Sequence, residues 1–135
     1  MGSEHTFYDF IDQSGRNVIR DWLDVQGQKK RPKAKLNFRM QNLEGWPRHL
    51  WVEPYTKPLK GNCQGLIEIR ADVQNVQYRL LGFHGPGDRE VTLVFGAHER
   101  GGKFVPRSAC EIALKRKGEA ENQPMGRRSM HDFDD

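Results

Sequence analysis

The chain has 135 residues, of which 36% are hydrophobic and 30% charged, with a formal net charge of +4. One domain takes roughly 100–200 residues, so this length excludes a catalytic unit joined to a separate cofactor domain. No stretch approaches the ~18 consecutive apolar residues of a membrane span, and three Trp, three Tyr and seven Phe can seed a core, which argues against disorder.

Met1-Gly2-Ser3-Glu4-His5 carries neither a basic nor an apolar leader segment, so a cytoplasmic protein without membrane contact is expected. Cys63 and Cys110 form no CxxC pair and sit near no His cluster. That spacing predicts two buried thiols, no metal site and no disulfide.

Thr6-Phe7-Tyr8-Asp9-Phe10 is aromatic and β-prone and predicts a first strand. Ser14 is a candidate cap for a helix near 16–26, whose apolar face is Val18, Ile19, Trp22 and Leu23 and which Gly27 ends. Pro32 suits the first turn of a second helix near 32–44, striped by Leu36, Met40 and Leu43 and stopped by Gly45 and Pro47. The two should form a hairpin. Residues 46–64 read as a loop anchored by Trp46 and Trp51.

Three strands follow. Leu66-Ile67-Glu68-Ile69-Arg70 alternates with period two; the others are 76–83 and 91–97, joined by a turn at His84-Gly85-Pro86-Gly87-Asp88. Ile67, Ile69, Leu80 or Leu81, Val91, Leu93 and Phe95 are the expected sheet core. Gly101-Gly102 reads as a flexible connection, Pro106 opens a short helix, and Gly118 ends it. One domain over residues 1–118 with a disordered polar tail over 119–135 is expected. The fold class is α+β: a small antiparallel sheet with an N-terminal helical hairpin and a short C-terminal helix.

The chain holds no GxxxxGK[ST], no strand-linked GxGxxG, no HExxH and no GxSxG, and its five His show no ligand spacing. What remains is basic. Charge is distributed unevenly: Glu4, Asp9, Asp12, Asp21 and Asp24 come first, then a Lys/Arg-rich stretch from Lys29. Arg70 lies on the polar face of its strand, and Arg79 interrupts an apolar one. A strand rarely carries a mid-run Arg unless it is paired or faces a groove. His98 and Arg100 follow the last strand; Lys57, Lys60 and Lys103 flank it in loops. Arg70, Arg79 and His98 would converge on one end or face of the sheet, where arginines match phosphate oxygens and an imidazole can move a proton.

Several segments carry a resemblance. Val18-Ile19-Arg20-Asp21-Trp22-Leu23, the loop Pro54-Tyr55-Thr56-Lys57-Pro58-Leu59-Lys60-Gly61, the strand Gly65-Leu66-Ile67-Glu68-Ile69-Arg70, Tyr78-Arg79-Leu80-Leu81, and Val105-Pro106-Arg107 with Glu111 and Ala113-Leu114 resemble, in order and spacing, the RelE/HigB-type toxins of type II toxin–antitoxin modules, in their phage-derived HigB-like branch. The likeness covers roughly residues 5–117.

The resemblance implies a RelE-like fold and a ribosome-dependent mRNA endonuclease, an mRNA interferase. The ribose 2′-OH attacks the scissile phosphate without metal or cofactor. It further implies mRNA in the ribosomal A site and a cognate helix-turn-helix antitoxin as partners. Arg70, Arg79, His98 and Arg100 fall at the catalytic positions, and Lys57, Lys60 and Lys103 at RNA-binding ones. His98-Glu99-Arg100 stands where many relatives carry a lysine pair, so the acid/base group stays open between His98 and Arg100. The alternatives are a ParE-like toxin that poisons gyrase and a non-catalytic, phage-derived RNA-binding protein.

Overall fold

The computed structural model describes residues 5–26 and 31–133. Its centre is the antiparallel meander β3 (Ile67–Val73), β4 (Val76–His84) and β5 (Glu90–Arg100). Gln74 and Asn75, both at positive φ, close β3 onto β4 in two residues, as the twist of a tight hairpin requires. Gly101 and Gly102, at φ +55 and +77, do the same between β5 and β6 (Lys103–Val105). The glycine pair is therefore a hairpin turn and not a loose connection, because a side-chain-free residue takes positive φ without steric cost.

β2 (Thr56–Pro58) extends the sheet beyond β3. On the other side, β1 (Thr6–Phe10) lies parallel to β5, and β7 (Arg128–Met130) lies antiparallel to β1. The order is β2-β3-β4-β5-β1-β7, with β6 also on β5. This corrects the expected fold class: the sheet is mixed and has seven strands. The parallel pair joins segments some eighty residues apart in the sequence, and nothing local to either encodes its direction.

Asn17, not Ser14, caps α1 (Val18–Gln26): its Oδ1 accepts the backbone N–H groups of Ile19 and Arg20 at 3.1 and 2.8 Å. Gly27, expected as the stop, lies outside the described residues. α2 (Arg31–Glu44) buries Leu36, Met40 and Leu43 as expected. The expected N-terminal helical hairpin is not a distinct unit. α1 packs chiefly on β5 and α2 on β3, because each apolar stripe finds more surface on the sheet than on the other helix.

Phe7, Ile19, Leu23, Leu36, Met40, Leu43, Ile69, Leu80, Val91 and Leu93 make the core on that face. α3 (Ala109–Asn122) covers the other face, over Phe10, Leu66, Leu81, Phe83, Val94 and Ala97. Ile67 and Phe95 are only partly buried.

Two further expectations are corrected. Cys63 and Cys110 are joined in a disulfide, which ties the 3₁₀ turn Gly61–Cys63 to the first turn of α3. They lie 47 positions apart in the sequence, and only the packing of α3 brings the two sulfurs together. The tail is ordered over residues 119–133. α3 runs through Gly118 to Asn122, and the strand after it occupies the open edge of β1. His131 is buried there: its Nδ1 lies 2.7 Å from Asp9 Oδ1 and its Nε2 2.9 Å from Asn37 Oδ1. Arg128 reaches Glu90 at 2.8 Å and stacks on Tyr8. A polar segment orders here because its polar groups find partners in the body of the protein.

Two glycines check this packing. A Cβ on Gly96 would lie 2.1 Å from the Trp22 ring, while Gly118 in α3 faces open space. Gly96→Ala should destabilise by about 1–3 kcal/mol through overpacking. Gly118→Ala should stabilise by up to about 1 kcal/mol through helix propensity. Denaturant midpoints of the two variants read both effects.

Candidate functional site

In the register of the meander, Arg70, Arg79 and Ala97 lie side by side, so their side chains share one face of the sheet. Glu68 and Asp72, two residues either side of Arg70, point the same way, as does Glu99. His98 is paired with Tyr78 and belongs to the opposite face, over α1. The sheet therefore separates the imidazole from both arginines expected beside it. Side chains that converge in a linear reading are divided here by the two-residue period of the strand.

Arg79 is completely buried. Its Nε donates to Glu99 Oε1 at 2.9 Å, and its Nη1 to Asp72 Oδ1 and the Tyr78 carbonyl, both at 2.9 Å. Glu68 Oε2, also buried, stands 3.1 Å from Nε as an ion pair without an aligned hydrogen bond. Burial favours the uncharged form of Arg79, but the Asp72 and Glu99 hydrogen bonds and charges outweigh it and hold the guanidinium protonated above its ordinary range. Burial likewise pushes the Glu68 carboxyl above the usual carboxylate range; Arg79 offsets part of this and Glu99 adds to it. The expected role of Arg79 on a phosphate is thus corrected. Three carboxylates already surround its guanidinium, and no surface of it faces solvent.

Arg70 differs. Its side chain is about a quarter exposed, and its Nη1 lies 3.5 Å from Glu53 Oε1. Lys57, half exposed in β2, holds the same oxygen at 3.8 Å. Both distances exceed the about 2.7–2.9 Å of a tight charge-assisted bond. Lys57 sits in register opposite Glu68, on the face of Arg70, and its strand continues into exposed Lys60 at the start of the Gly61–Cys63 turn. Arg70 and Lys57 therefore meet on the β2–β3 edge, while Lys60 lies three positions further along the chain.

His98, Arg100 and Lys103 lie elsewhere. His98 packs against Trp22 and Tyr78, ring centroids 6.1 and 5.1 Å away. Burial, and secondly the charge of Arg100, lowers its pKa below the ordinary imidazole value. Arg100 and Lys103 pair in register at the exposed β5–β6 hairpin. Strand β5 of that hairpin stands three strand spacings from β2, about 14 Å, and the two-residue period puts Arg100 with His98 on the face opposite Arg70. One phosphodiester cannot touch both groups.

Sequence reasoning missed the carboxylates. Glu68, Asp72 and Glu99 were visible as same-face neighbours of an apolar-strand arginine once the register was known. Glu53 sits in an irregular segment with no periodic signal. No protein-family profile, curated protein or solved structure matches this chain.

The two arginines should separate cleanly on mutation. Arg79→Met leaves Glu68 buried without its cation and should cost about 3–5 kcal/mol at pH 7. Without Arg79 the folded pKa of Glu68 rises further above its unfolded value, so folding takes up a proton. The deficit should narrow as pH falls from about 7 to 5. Arg70→Ala, which loses one loose and partly exposed ion pair, should stay within about 1 kcal/mol of the parent. Urea denaturation at the two pH values measures all three expectations.

Proposed function

We propose that this chain is the toxin of a type II toxin–antitoxin module and a ribosome-dependent mRNA endonuclease, with Arg70, Lys57 and Lys60 as its phosphate-contacting groups. The observation that carries this reading is the shared Glu53 oxygen. Two cations from adjacent strands are held close together by one exposed carboxylate at loose distances. A phosphate oxygen offers the same charge with more acceptor positions, and an arginine fork matches it better than a single carboxylate oxygen does.

In this reading the 2′-oxygen of the ribose forms a bond to phosphorus as the bond from phosphorus to the 5′-oxygen breaks. A proton leaves the 2′-hydroxyl and one reaches the departing 5′-oxygen, yielding a cyclic phosphate and a free 5′-hydroxyl. Arg70 and Lys57 stabilise the additional negative charge on the phosphorane. His98 and Arg100 lie off this face and take no part at the same phosphate. Messenger RNA in the ribosomal A site and a cognate antitoxin are the partners.

A second reading, RNA binding without cleavage, draws on one specific observation: the expected proton-transfer group His98 faces away from Arg70 and Arg79. Single-turnover cleavage of mRNA on programmed ribosomes distinguishes the two. Arg70→Ala should lower the rate about 10²–10³-fold. Lys57→Ala and Lys60→Ala should each reduce the salt slope of binding by about one unit or less. Parental cleavage by the Arg70→Ala Lys57→Ala double variant removes the assignment. Salt-dependent RNA binding with no cleavage by the parent selects the second reading.

A further inference from the structure

A second group of basic side chains lies on the opposite face of the sheet from Arg70, where β4 ends and β1 begins. His84, the last residue of β4, pairs in register with Val91 of the α2-side core. His5, just before β1, is nearly buried beside it. Both imidazoles pack on Trp51, with ring centroids 4.5 Å from it for His5 and 5.2 Å for His84, and 5.8 Å between the two. Trp51 is itself buried, and its indole N–H donates to the Trp46 carbonyl at 3.1 Å. The two rings are therefore fixed in place by packing.

They border a cleft of about 450 Å³. Arg48, exposed in the 3₁₀ turn Arg48–Leu50, forms one wall, and the turn between β4 and β5 forms the other. That turn is held rigidly. Gly85 N–H donates to the Glu90 carbonyl at 2.7 Å, and the Thr92 hydroxyl to the Gly85 carbonyl at 2.8 Å. Its charged groups are Asp88, Arg89 and Glu90. Glu90 is already engaged, its Oε1 accepting from Gly87 N–H at 3.0 Å and Arg128 at 2.8 Å. Arg48 and Arg89 remain against the single carboxylate of Asp88, and two imidazoles line the interior.

We propose that this cleft is a binding site for a phosphate group, carried either by a small phosphomonoester or by a nucleic-acid strand. The volume lies within the about 300–1,000 Å³ of small-molecule sites, enough for a nucleotide and more than a bare anion needs. A divalent cation is disfavoured, since the guanidinium-bearing Arg48 and Arg89 line the cleft. Among the described residues, no three His, Cys, Asp or Glu converge as ligands.

The electrostatics give the site a signature. Burial first, then the charge of Arg48, then His5, depress the His84 pKa from the ordinary 6.5 to about 4. At neutral pH His84 is uncharged and able to donate one N–H. A bound phosphate supplies the countercharge that Arg48 denies it, so binding raises the His84 pKa. By linkage, affinity for the phosphate monoanion rises as pH falls from about 5 towards 4, below the second phosphate pKa of about 6.

The test is a titration of the whole chain followed by NMR at the His84 Cε1–H resonance. Inorganic phosphate, adenosine 5′-monophosphate and a short RNA are the probes, with chloride as the ionic control. The RNA arm uses the Arg70→Ala Lys57→Ala background, so that a failure of the β2–β3 edge and a failure of this cleft are read separately. Saturating phosphate should raise the His84 pKa by one unit or more. Arg48→Ala, at an exposed position, should weaken phosphate binding about tenfold and raise the His84 pKa of the free protein. His84→Gln should abolish the rise in binding between about pH 5 and 4, below the second phosphate pKa of about 6, while Arg48 still supports binding. Tighter binding of the mononucleotide than of RNA identifies a small ligand, and the reverse a strand. A resonance that responds to no phosphate probe, or to chloride equally, overturns the proposal, as does unchanged phosphate affinity in Arg48→Ala.

Discussion

A guanidinium sealed inside a sheet sets the terms for the rest of this structure. Arg79 keeps its proton although its side chain is fully buried, and removing a charge from water costs several kcal/mol unless partners replace the solvent. Glu68, Asp72 and Glu99 are those partners, two from β3 and one from β5. They meet Arg79 only when both neighbouring strands sit in the register observed. A slip of one residue would turn each carboxylate to the α1–α2 face and strand the cation in an apolar core. The cluster thus pins the meander, and every functional position is measured from it.

The same cluster divides the basic residues by role. A net positive chain suggests one continuous cationic face, yet the cations here belong to separate environments. Arg79 is structural. Arg70 and Lys57 share a loosely held carboxylate at one edge. Arg100 and Lys103 stand on a hairpin at the far side of β5. Arg48 and Arg89 flank a cleft with two imidazoles. What distinguishes them is the amount of compensation each already has, since a cation with three carboxylates has little left to offer a ligand and a cation with one distant oxygen has much.

Two long-range ties hold the frame that presents these groups. The Cys63–Cys110 bond joins the loop carrying Lys60 to α3. The C-terminal strand closes the edge of β1, with His131 held between Asp9 of that strand and Asn37 of α2. An open strand edge exposes unpaired backbone groups, and β7 removes that liability while Arg128 anchors it to Glu90. No helix of the described residues is long and apolar enough to cross a membrane.

By itself the sequence determined the local elements: the helical stripes of α1 and α2, the period-two alternation of β3, the turn after His84, and the anomaly of an arginine within the apolar run of β4. These are readable because side-chain periodicity and turn chemistry act between residues a few positions apart. It also marked Arg70 and Lys57, which share the Glu53 carboxylate. Only the tertiary structure decided that β1 runs parallel to β5, that the tail is a strand, that Cys63 meets Cys110, and that Arg79 is neutralised while His98 faces the other way. Each of those outcomes depends on strand register or on packing between distant segments. A one-residue shift exchanges the faces of a sheet without altering its composition or pattern, so no local signal could have settled them.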